Sequence, residues 1–346
     1  MKLEIENIKP FNDIFFINCF YNSLFPIIEL FGLEIDHFLI NAIPTYCITS
    51  DEEVINFQMT YKELSPFHEI CLNLGVFIET HQKVETNFES FIIKSIQENK
   101  PIIMWIDCYY ESIRSDTYLR EHLPHTIVIY GYDSSTQLYS ILEHDHKDNL
   151  TYTYKQISLE DLTKSYQGYL ENFYVSENPT VFQFYGRQSN EINGNSIYFK
   201  DKYLKNFQHF SKDVIKGLED IKKFARYYET LIREEKAIKD KCLTLIDFLN
   251  KIVISKQFEK YRAERILRNS YVIELIELII QKYNRVRSVV AKYLYSSRYS
   301  FEKFSFSVEV LKEIIDLEYM VYQEMGKEVN LLICEKCMKE GPDRDH

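Results

Sequence analysis

The first half of the chain mixes two hydrophobic periodicities. Apolar residues recur at helical spacing over Cys19–Leu30, and Gly32 follows as a helix stop. Pro101–Asp107 is a short apolar run that begins with proline, which is typical of a buried strand. Thr126–Tyr132 and Gln137–Glu143 flank a polar turn and predict an antiparallel hairpin. The same reasoning predicts helices over Tyr61–Leu74, Asn87–Asn99 and Ser158–Tyr166, and strands over Gly75–Ile78, Thr151–Gln156 and Phe173–Val175.

The second half is helical by the same criterion. Its apolar residues follow the helical period, and no proline occurs between residues 180 and 341. The pattern predicts a bundle of long helices. One apolar face is formed by Ile221, Phe224, Tyr228, Leu231 and Ile232, and similar runs cover Leu243–Ile254, Tyr271–Tyr295 and Phe304–Met325.

Charge divides the chain near the same place. Residues 1–185 hold 11 Lys/Arg and 27 Asp/Glu, whereas the remainder holds 30 Lys/Arg and 25 Asp/Glu. A shift of this size is typical of a domain boundary. We therefore predict an α+β domain with an antiparallel sheet over residues 1–187, a polar linker over 188–195, an α-helical bundle over 196–333 and a flexible tail over 334–346.

Composition narrows the class of protein. The 346 residues are 45% hydrophobic and 27% charged, which is typical of a globular chain and excludes a mostly disordered one. No apolar run reaches the roughly 18 residues that a membrane span needs, and the N-terminus lacks the features of a signal peptide. The seven scattered cysteines indicate free thiols. We expect a cytoplasmic protein that does not bind a membrane.

Three residues form a candidate catalytic set. Cys19 begins an apolar helix, and a helix N-terminus favours the thiolate form of cysteine. His125 begins an apolar strand, so its imidazole is held on a rigid backbone. The predicted hairpin brings the end of the return strand beside the start of the first, which places Glu143 close to His125. We expect Cys19 to be the nucleophile, His125 the base, and Glu143 or, as the fallback, Asp145 the orienting carboxylate.

This arrangement resembles the papain-like superfamily, in which a cysteine on an N-terminal helix meets a histidine on a strand. The closer resemblance is to the butirosin biosynthesis protein H-like acyltransferase family, over about residues 12–180. It is carried by the Cys19 helix and by the segment His-Thr-Ile-Val-Ile-Tyr-Gly-Tyr-Asp that starts at His125. Members of that family look like enzymes that move an acyl group from a carrier-protein thioester to an amine.

The resemblance implies a papain-like catalytic domain over residues 1–187 and an amide-forming thiol acyltransferase of natural-product biosynthesis. The implied donor is an acyl or peptidyl carrier protein with its phosphopantetheine arm, or coenzyme A, and the implied acceptor is a small amine. No bound cofactor is expected. One alternative is a cysteine peptidase or amidase with the same three residues. Another is a non-catalytic binding protein in which Cys19 is a small core residue.

Two positions depart from the papain-like pattern. Glu143 stands where that pattern has Asp or Asn. Those enzymes carry a glutamine about six residues before the cysteine, and Asp13 stands there in this chain. We expect the oxyanion to be held by Asn12, by Asn18 or by the backbone N–H of Cys19. The residues expected to line the cleft are those that end the neighbouring strand, Asp107 and Tyr109.

A basic and aromatic segment lies in the helical half. Residues 281–300 contain no Asp or Glu, and four tyrosines are interleaved with the cationic side chains. Such a face can dock an acidic carrier protein, bind nucleic acid, or simply solvate an exposed helix. The net charge of −11 argues against a nucleic-acid partner. The candidate docking residues are Lys282, Arg285, Arg287, Lys292 and Arg298.

Two groups have the spacing of metal ligands. His144, Asp145 and His146 can present two ligands on one strand face, and Cys334 with Cys337 has the spacing of half a zinc site. The hairpin gives the first group a simpler role, and no second cysteine pair accompanies the second. We therefore expect no metal site.

Overall fold

The computed structural model describes residues 2–51, 54–84, 87–146, 149–186 and 196–339. It is a mixed α+β structure with an antiparallel sheet and a C-terminal helical region. The chain divides into two compact units, each made of two segments. Unit 1 comprises Met1–Ile35 and Ser65–Asn193, and unit 2 comprises Asp36–Leu64 and Gly194–His346.

Strands are concentrated in the first half, as the periodicity predicts. They are β1 (Lys2–Glu4), β2 (Ala42–Asp51), β3 (Val54–Glu63), β4 (Val76–His81), β5 (Ile102–Asp107), β6 (Pro124–Asp133), β7 (Leu138–His146), β8 (Asn149–Ser158) and β9 (Val181–Gly186). The helices are α1 (Cys19–Leu30), α2 (Asp36–Leu39), α3 (Phe67–Asn73), α4 (Phe88–Gln97), α5 (Leu159–Asn172), α6 (Ser196–His209), α7 (Ser211–Leu231), α8 (Glu235–Arg262), α9 (Ser270–Ser296) and α10 (Phe301–Lys339).

Unit 1 is built on a seven-stranded sheet. The strand order is β4–β9–β5–β6–β7–β8, and β1 pairs with the end of β6. All of these pairs are antiparallel. The predicted hairpin is confirmed as β6 and β7, and the predicted helix over Cys19–Leu30 is confirmed as α1. These two elements carry the candidate cysteine and histidine.

Two predicted elements of the first half are wrong. The helix predicted over Tyr61–Leu74 is strand β3 up to Glu63, and only Phe67–Asn73 is helical. Pro66 precedes that helix, and the residue before a proline is biased away from helical backbone. The strand predicted over Phe173–Val175 is also absent, since its residues follow the last turn of α5 and the strand of that region is β9.

The predicted domain boundary also needs a correction. The segment Asp36–Leu64 belongs to unit 2, although it lies within the predicted first domain of residues 1–187. It contains the β2–β3 hairpin, which the hydrophobic pattern did not predict. Gly217 of α7 allows the close approach, because a Cβ at that position would meet the backbone N of Tyr46 at 2.8 Å. Phe57 of β3 stacks on Phe224 of α7, with ring centroids 4.2 Å apart.

The remainder of unit 2 is the helical region that the periodicity predicts. Its core joins the hairpin residues Ile43 and Phe57 to buried apolar side chains of α6 to α10. Helix α10 continues to Lys339, so the first part of the predicted flexible tail is helical. The predicted linker at residues 188–195 lies outside the described residues. Among the helices that the structure describes, none combines the length and apolarity of a membrane span.

Candidate functional site

The loop that precedes Cys19 is held by hydrogen bonds and contains one strained residue, Ile17. The side chain of Asn22, which is 1% exposed, accepts from the N–H of Phe16 at 2.8 Å and donates to the carbonyl of Ile14 at 2.8 Å. Ile17 has a φ of 50°, in the left-handed region. That conformation is costly for a β-branched residue, and it persists only where the surrounding structure enforces it, often at functional sites.

Asn18 and Cys19 form the N-terminus of α1. Asn18 has an extended backbone, and its side-chain oxygen accepts from the N–H of Tyr21 at 3.4 Å, so the helix begins at Cys19. The free N–H groups and the helix dipole place partial positive charge beside the thiol, which favours the thiolate. The oxygen of Asn18 serves the cap, and its NH₂ group is the donor that can face an oxyanion.

Strand β6 brings hydrogen-bond donors to the sulfur of Cys19. His125 and Thr126 are the second and third residues of this strand, and both are buried. The imidazole of His125 hydrogen bonds the sulfur, and so do the hydroxyl and the backbone N–H of Thr126. Burial acts to raise the pKa of the Cys19 thiol. The charge of His125 and these hydrogen bonds outweigh burial, so the pKa of Cys19 lies below its usual value.

Glu143 lies against the same histidine ring. The register pairs Val128 of β6 with Leu142 of β7, so alternation along the strands puts Glu143 on the face of His125. Its Oε1 lies 3.2 Å from Nε2 of His125, an ion-pair distance without the alignment of a full hydrogen bond. Burial alone would lower the pKa of His125, but the charges of Glu143 and Cys19 raise it to about 10.

These opposite shifts favour a charged pair at neutral pH. A lowered pKa of Cys19 and a raised pKa of His125 together favour thiolate with imidazolium over thiol with imidazole. The thiolate is the nucleophilic form of cysteine. The imidazolium is an acid that can protonate a leaving group. The arrangement is therefore suited to nucleophilic attack on an acyl carbon.

Buried Arg114 holds the carboxylate of Glu143 in its charged form. Its Nη1 donates to Oε1 of Glu143 at 2.7 Å, while its Nε and Nη2 donate to the two oxygens of Asp116 at 3.0 and 2.9 Å. The backbone N–H of His144 donates to the same Oε1 at 2.6 Å. Burial acts to raise the pKa of Glu143, but His125 and Arg114 lower it by more. The histidine therefore faces a carboxylate rather than a neutral acid.

Glu111 adds a second buried carboxyl group. Its side chain is fully buried, and among the described residues neither of its carboxyl oxygens has a hydrogen-bond partner. Burial and the charge of Glu143 raise its pKa well above the usual value. The neutral acid is therefore favoured at Glu111 beside a charged Glu143. Carboxyl groups with pKa values pushed in opposite directions are typical of functional sites.

His144 packs against the candidate catalytic ring. Its centroid lies 4.6 Å from that of His125 and 4.0 Å from that of Tyr152. Burial and the charge of His125 lower the pKa of His144 to about 3. Ligand atoms of His125, Glu143 and His144 lie within 4.8 Å of one another, a spacing that a metal ion can use. Because the imidazole of His125 already interacts with both the carboxylate of Glu143 and the sulfur of Cys19, we interpret the set as acid–base groups.

Asn12 is hydrogen-bonded to the backbone of Tyr152. Its side-chain oxygen accepts from the backbone N–H of Tyr152 at 2.7 Å, and its NH₂ group donates to the carbonyl of the same residue at 3.0 Å. The side chain therefore ties the N-terminal loop to β8. The assignment of Asn18 and the backbone N–H of Cys19 as oxyanion donors stays a prediction.

The expected cleft residues Asp107 and Tyr109 lie together at the end of β5. Nδ1 of His122 lies 2.6 Å from Oδ2 of Asp107, and the ring of Tyr109 stacks on that of His122 with centroids 4.1 Å apart. The structure therefore places a second histidine–carboxylate pair where the sequence predicted only a cleft wall.

Some predicted ligands lie outside the described side chains. Asp145, the fallback carboxylate, belongs to β7, but its side chain is not described. The same holds for Cys334 and Cys337 of α10, and His346 lies beyond the described residues. The alternative triad and the C-terminal zinc hypothesis both stay predictions.

Two of the five candidate docking residues have partners within unit 2. Lys282 forms an ion pair with Glu313. Arg287 donates from Nη1 to Oδ1 of Asn250 at 3.0 Å. Because these side chains are held by neighbouring helices, they are less suited to a partner protein.

The other candidate docking residues, Arg285, Lys292 and Arg298, are exposed. Lys292 and Arg298 line an open groove at the turn between α9 and α10, and Lys303 adds a third cation. Tyr295 and Phe306 also line it, and their side chains are 87% and 59% exposed. We call these five groove residues the α9–α10 groove.

Comparison with known proteins identifies no family for this chain. No protein-family model matches this sequence, and no curated protein matches it at a significant level. The functional interpretation therefore depends on the geometry of the site. The resemblance seen in the sequence stays a prediction.

Several site residues were not identified from the sequence. Thr126 carries a detectable signal, because it places a hydroxyl in an apolar strand directly after His125. Arg114 carries a weaker one, as a rare cation in the acidic half between Glu111 and Asp116. The burial of Glu111 has no local signal, because it depends on residues distant in the chain.

Proposed function

We propose that this protein is a cysteine-dependent acyltransferase that forms an amide from a thioester donor and an amine. The observation that carries the proposal is the position of Cys19, at the start of α1 with its sulfur hydrogen-bonded by His125. Glu143 completes the set, 3.2 Å from Nε2 of that histidine. A cysteine on a helix facing antiparallel strands also supports a papain-like fold for unit 1.

The first half-reaction transfers the acyl group to the enzyme. The Cys19 thiolate attacks the thioester carbonyl carbon, and N–H groups at the start of α1 stabilise the oxyanion. The carbon–sulfur bond to the donor then breaks. The imidazolium of His125 gives its proton to the departing thiolate, which leaves as a thiol. The products are acyl-Cys19, neutral His125 and the free donor thiol.

The second half-reaction restores the charged pair. The nitrogen of a neutral amine attacks the carbonyl carbon of acyl-Cys19, and His125 accepts a proton from that nitrogen. Cys19 leaves as a thiolate beside the new imidazolium. The charge of Glu143 supports that imidazolium in both half-reactions. The product is an amide, with one thioester consumed.

A thioester donor suits this site because a thiol is a good leaving group. A peptide donor would require protonation of an amine as it leaves, so its cleavage depends more strongly on the general acid, the imidazolium of His125. The resemblance to butirosin biosynthesis protein H-like acyltransferases supports a carrier-bound donor with a phosphopantetheine arm, in natural-product biosynthesis. A peptidase or amidase with the same residues is the alternative reaction.

The experiment is intact-protein mass spectrometry after incubation with acyl thioesters. The donors are N-acetylcysteamine, coenzyme A and carrier-protein thioesters, and the proteins are wild type, Cys19→Ala and the control Cys47→Ala. Wild type and Cys47→Ala are expected to gain the acyl mass, whereas Cys19→Ala gains none. Addition of an amine is expected to remove the acyl mass and yield the amide.

Other outcomes identify the alternatives. Cleavage of peptide or amide substrates that depends on Cys19, without amide formation, would support a peptidase or amidase. No acyl mass from any donor, with Cys19 inert to iodoacetamide, would support a binding protein and overturn the proposal.

We also propose that a carrier protein docks at the α9–α10 groove. Three cations and two exposed aromatic rings line this groove beside one carboxylate, Glu302, and the excess of positive charge complements an acidic protein and the phosphate of its arm. Arg298→Glu is expected to raise KM for a carrier-bound thioester about tenfold and to leave KM for the N-acetylcysteamine thioester unchanged. Lys239→Glu on α8 is the matched control, and an equal effect of both variants would contradict the docking site.

A further inference from the structure

A second histidine–carboxylate pair lies at the end of β5. Nδ1 of His122 is 2.6 Å from Oδ2 of Asp107, and because a carboxylate only accepts, the imidazole donates from Nδ1. The side chain of Asp107 is fully buried, whereas that of His122 is 44% exposed. The outer nitrogen, Nε2, is therefore the one that a molecule in solution can meet.

The surrounding residues hold this pair in place. Asp107 also accepts from the backbone N–H groups of Tyr109 at 3.0 Å and Leu123 at 3.2 Å, and from the side chain of Asn172 at 3.1 Å. The plane of the His122 ring lies within 9° of the plane of Tyr109. Four donors fix the carboxylate, and the carboxylate and Tyr109 fix the imidazole. A general base needs this kind of support.

Strand pairing relates the pair to Cys19. Trp105 of β5 pairs with Thr126, which hydrogen bonds the sulfur of Cys19. Asp107 lies two residues further along β5, on the same face as Trp105 and about 7 Å from it. The ring of Tyr169 of α5 stacks on that of Trp105, with centroids 5.5 Å apart. Burial raises the pKa of Tyr169, and the nearby charge of Cys19 raises it further. The candidate nucleophile and the second pair therefore share one region of unit 1.

The proposed reaction needs a second base. A basic amine is an ammonium ion at neutral pH, and it must lose a proton before its nitrogen can attack. The nitrogen loses another proton as the amide forms. His125 accepts only one of these protons, because it must end as the imidazolium beside the Cys19 thiolate. The other proton needs an acceptor near the incoming amine that can pass it to water.

We propose that His122, held by Asp107, removes the first proton from an ammonium acceptor. The ammonium donates to Nε2, the proton moves to the imidazole, and the exposed ring releases it to solvent. The free amine then attacks acyl-Cys19, and His125 takes the second proton as the carbon–sulfur bond breaks. The inference depends on the proposed function, and it assigns a basic amine as the acceptor class.

The test separates the two half-reactions. Acyl-Cys19 is formed from an N-acetylcysteamine thioester in wild type, in His122→Gln and in the control His68→Gln, and is followed by intact mass. Each acyl-enzyme then reacts with butylamine, which is an ammonium ion at neutral pH, or with hydroxylamine, which is neutral. His122→Gln is expected to acylate and to react with hydroxylamine at the wild-type rate, but to react with butylamine about 10²-fold more slowly.

The outcomes are distinct. Equal slowing with both nucleophiles would assign His122 a structural role, and an unchanged rate with butylamine would show that the pair is not used. Either result overturns the inference while leaving the proposed function intact. Absence of acyl-Cys19 in the wild type overturns both. Imidazole added to acylated His122→Ala is expected to restore the reaction with butylamine, and failure of this rescue counts against a proton-transfer role.

Discussion

Each unit buries an ionic cluster, and the two clusters differ in how their atoms are paired. In unit 2, Nζ of Lys256 lies 2.8 Å from Oε1 of Glu318, and the hydroxyl of Tyr46 donates to the same carboxylate. The hydroxyl of Tyr283 donates to that of Tyr46 at 3.1 Å. Each polar atom therefore has a partner, in a closed network between helices and the hairpin.

The cluster in unit 1 leaves polar atoms without partners. Among the described residues, no hydrogen-bond partner is found for Oε2 of Glu143, for either carboxyl oxygen of Glu111 or for Nε2 of His144. Buried polar atoms without partners are costly, so they persist where a site requires them. The comparison indicates that the cluster of unit 2 fixes packing and that the cluster of unit 1 is built for chemistry.

Removing the charged carboxylate from each cluster is expected to have different consequences in the two units. Glu143→Gln weakens the support for the His125 imidazolium, and acyl transfer is expected to fall about 10²-fold or more. Glu318→Gln leaves Lys256 buried beside a neutral group, and the free energy of unfolding is expected to fall by about 3–5 kcal/mol. Turnover per folded molecule is expected to stay unchanged in Glu318→Gln. Steady-state kinetics and urea unfolding of both variants distinguish the two roles, and loss of turnover in Glu318→Gln would contradict the comparison.

Arg114→Met tests how the charge of Glu143 is maintained. The variant leaves a buried carboxylate without the guanidinium that donates to it at 2.7 Å, so the free energy of unfolding is expected to fall by about 3–5 kcal/mol. The pKa of Glu143 rises as well, because Arg114 lowers it in the wild type. Urea denaturation measures the loss, with Arg120→Met, an exposed arginine of the same unit, as the control. Equal stability of the two variants would show that the ion pair of Arg114 with Glu143 contributes nothing to the free energy of unfolding.

The reactivity of Cys19 toward iodoacetamide gives a second contrast between the two units. The pKa of Cys19 is lowered, whereas burial raises the pKa of Cys242 in unit 2. At about pH 7 an ordinary thiol is only a few per cent thiolate, so Cys19 is expected to react at least about tenfold faster than Cys242. Peptide mapping over a pH series measures both rates. In His125→Gln the faster alkylation of Cys19 is expected to disappear. If Cys19 still reacted faster in this variant, its reactivity would be assigned to the helix N-terminus alone.

A smaller change is expected in the stability of unit 1 at acid pH. His144 has a pKa of about 3 when folded, against about 6.5 when unfolded. Because the unfolded chain binds the extra proton, stability from this group is present above about pH 6.5 and is lost as the pH falls, by up to about 1.4 kcal/mol per pH unit. His144→Phe keeps the ring and removes the titration. Urea unfolding at about pH 7 and pH 5 is expected to show that the free energy of unfolding falls less in the variant than in the wild type.

The candidate site was predictable where it depends on local structure. Cys19 follows a capping residue and opens an apolar helix, and His125 and Glu143 lie at matching ends of one hairpin. The helix cap and the hairpin each join residues that are near in sequence, so the hydrophobic and turn pattern predicts them. Arg114 reaches Glu143 across 29 residues of sequence, and periodicity carries no signal for that contact.

Local sequence patterns predicted the helical second half, the sheet strands around the candidate residues, and the position of Glu143 beside His125. These follow from hydrophobic period, capping and turn chemistry, which act between near neighbours. Packing between distant elements brings Cys19 to His125, joins Asp36–Leu64 to the helices, and buries Arg114 and Glu111 beside Glu143. It also places His122 against Asp107. Burial and long-range pairing arise when separate elements pack, because the free energy of a charged group depends on every neighbour that replaces its water.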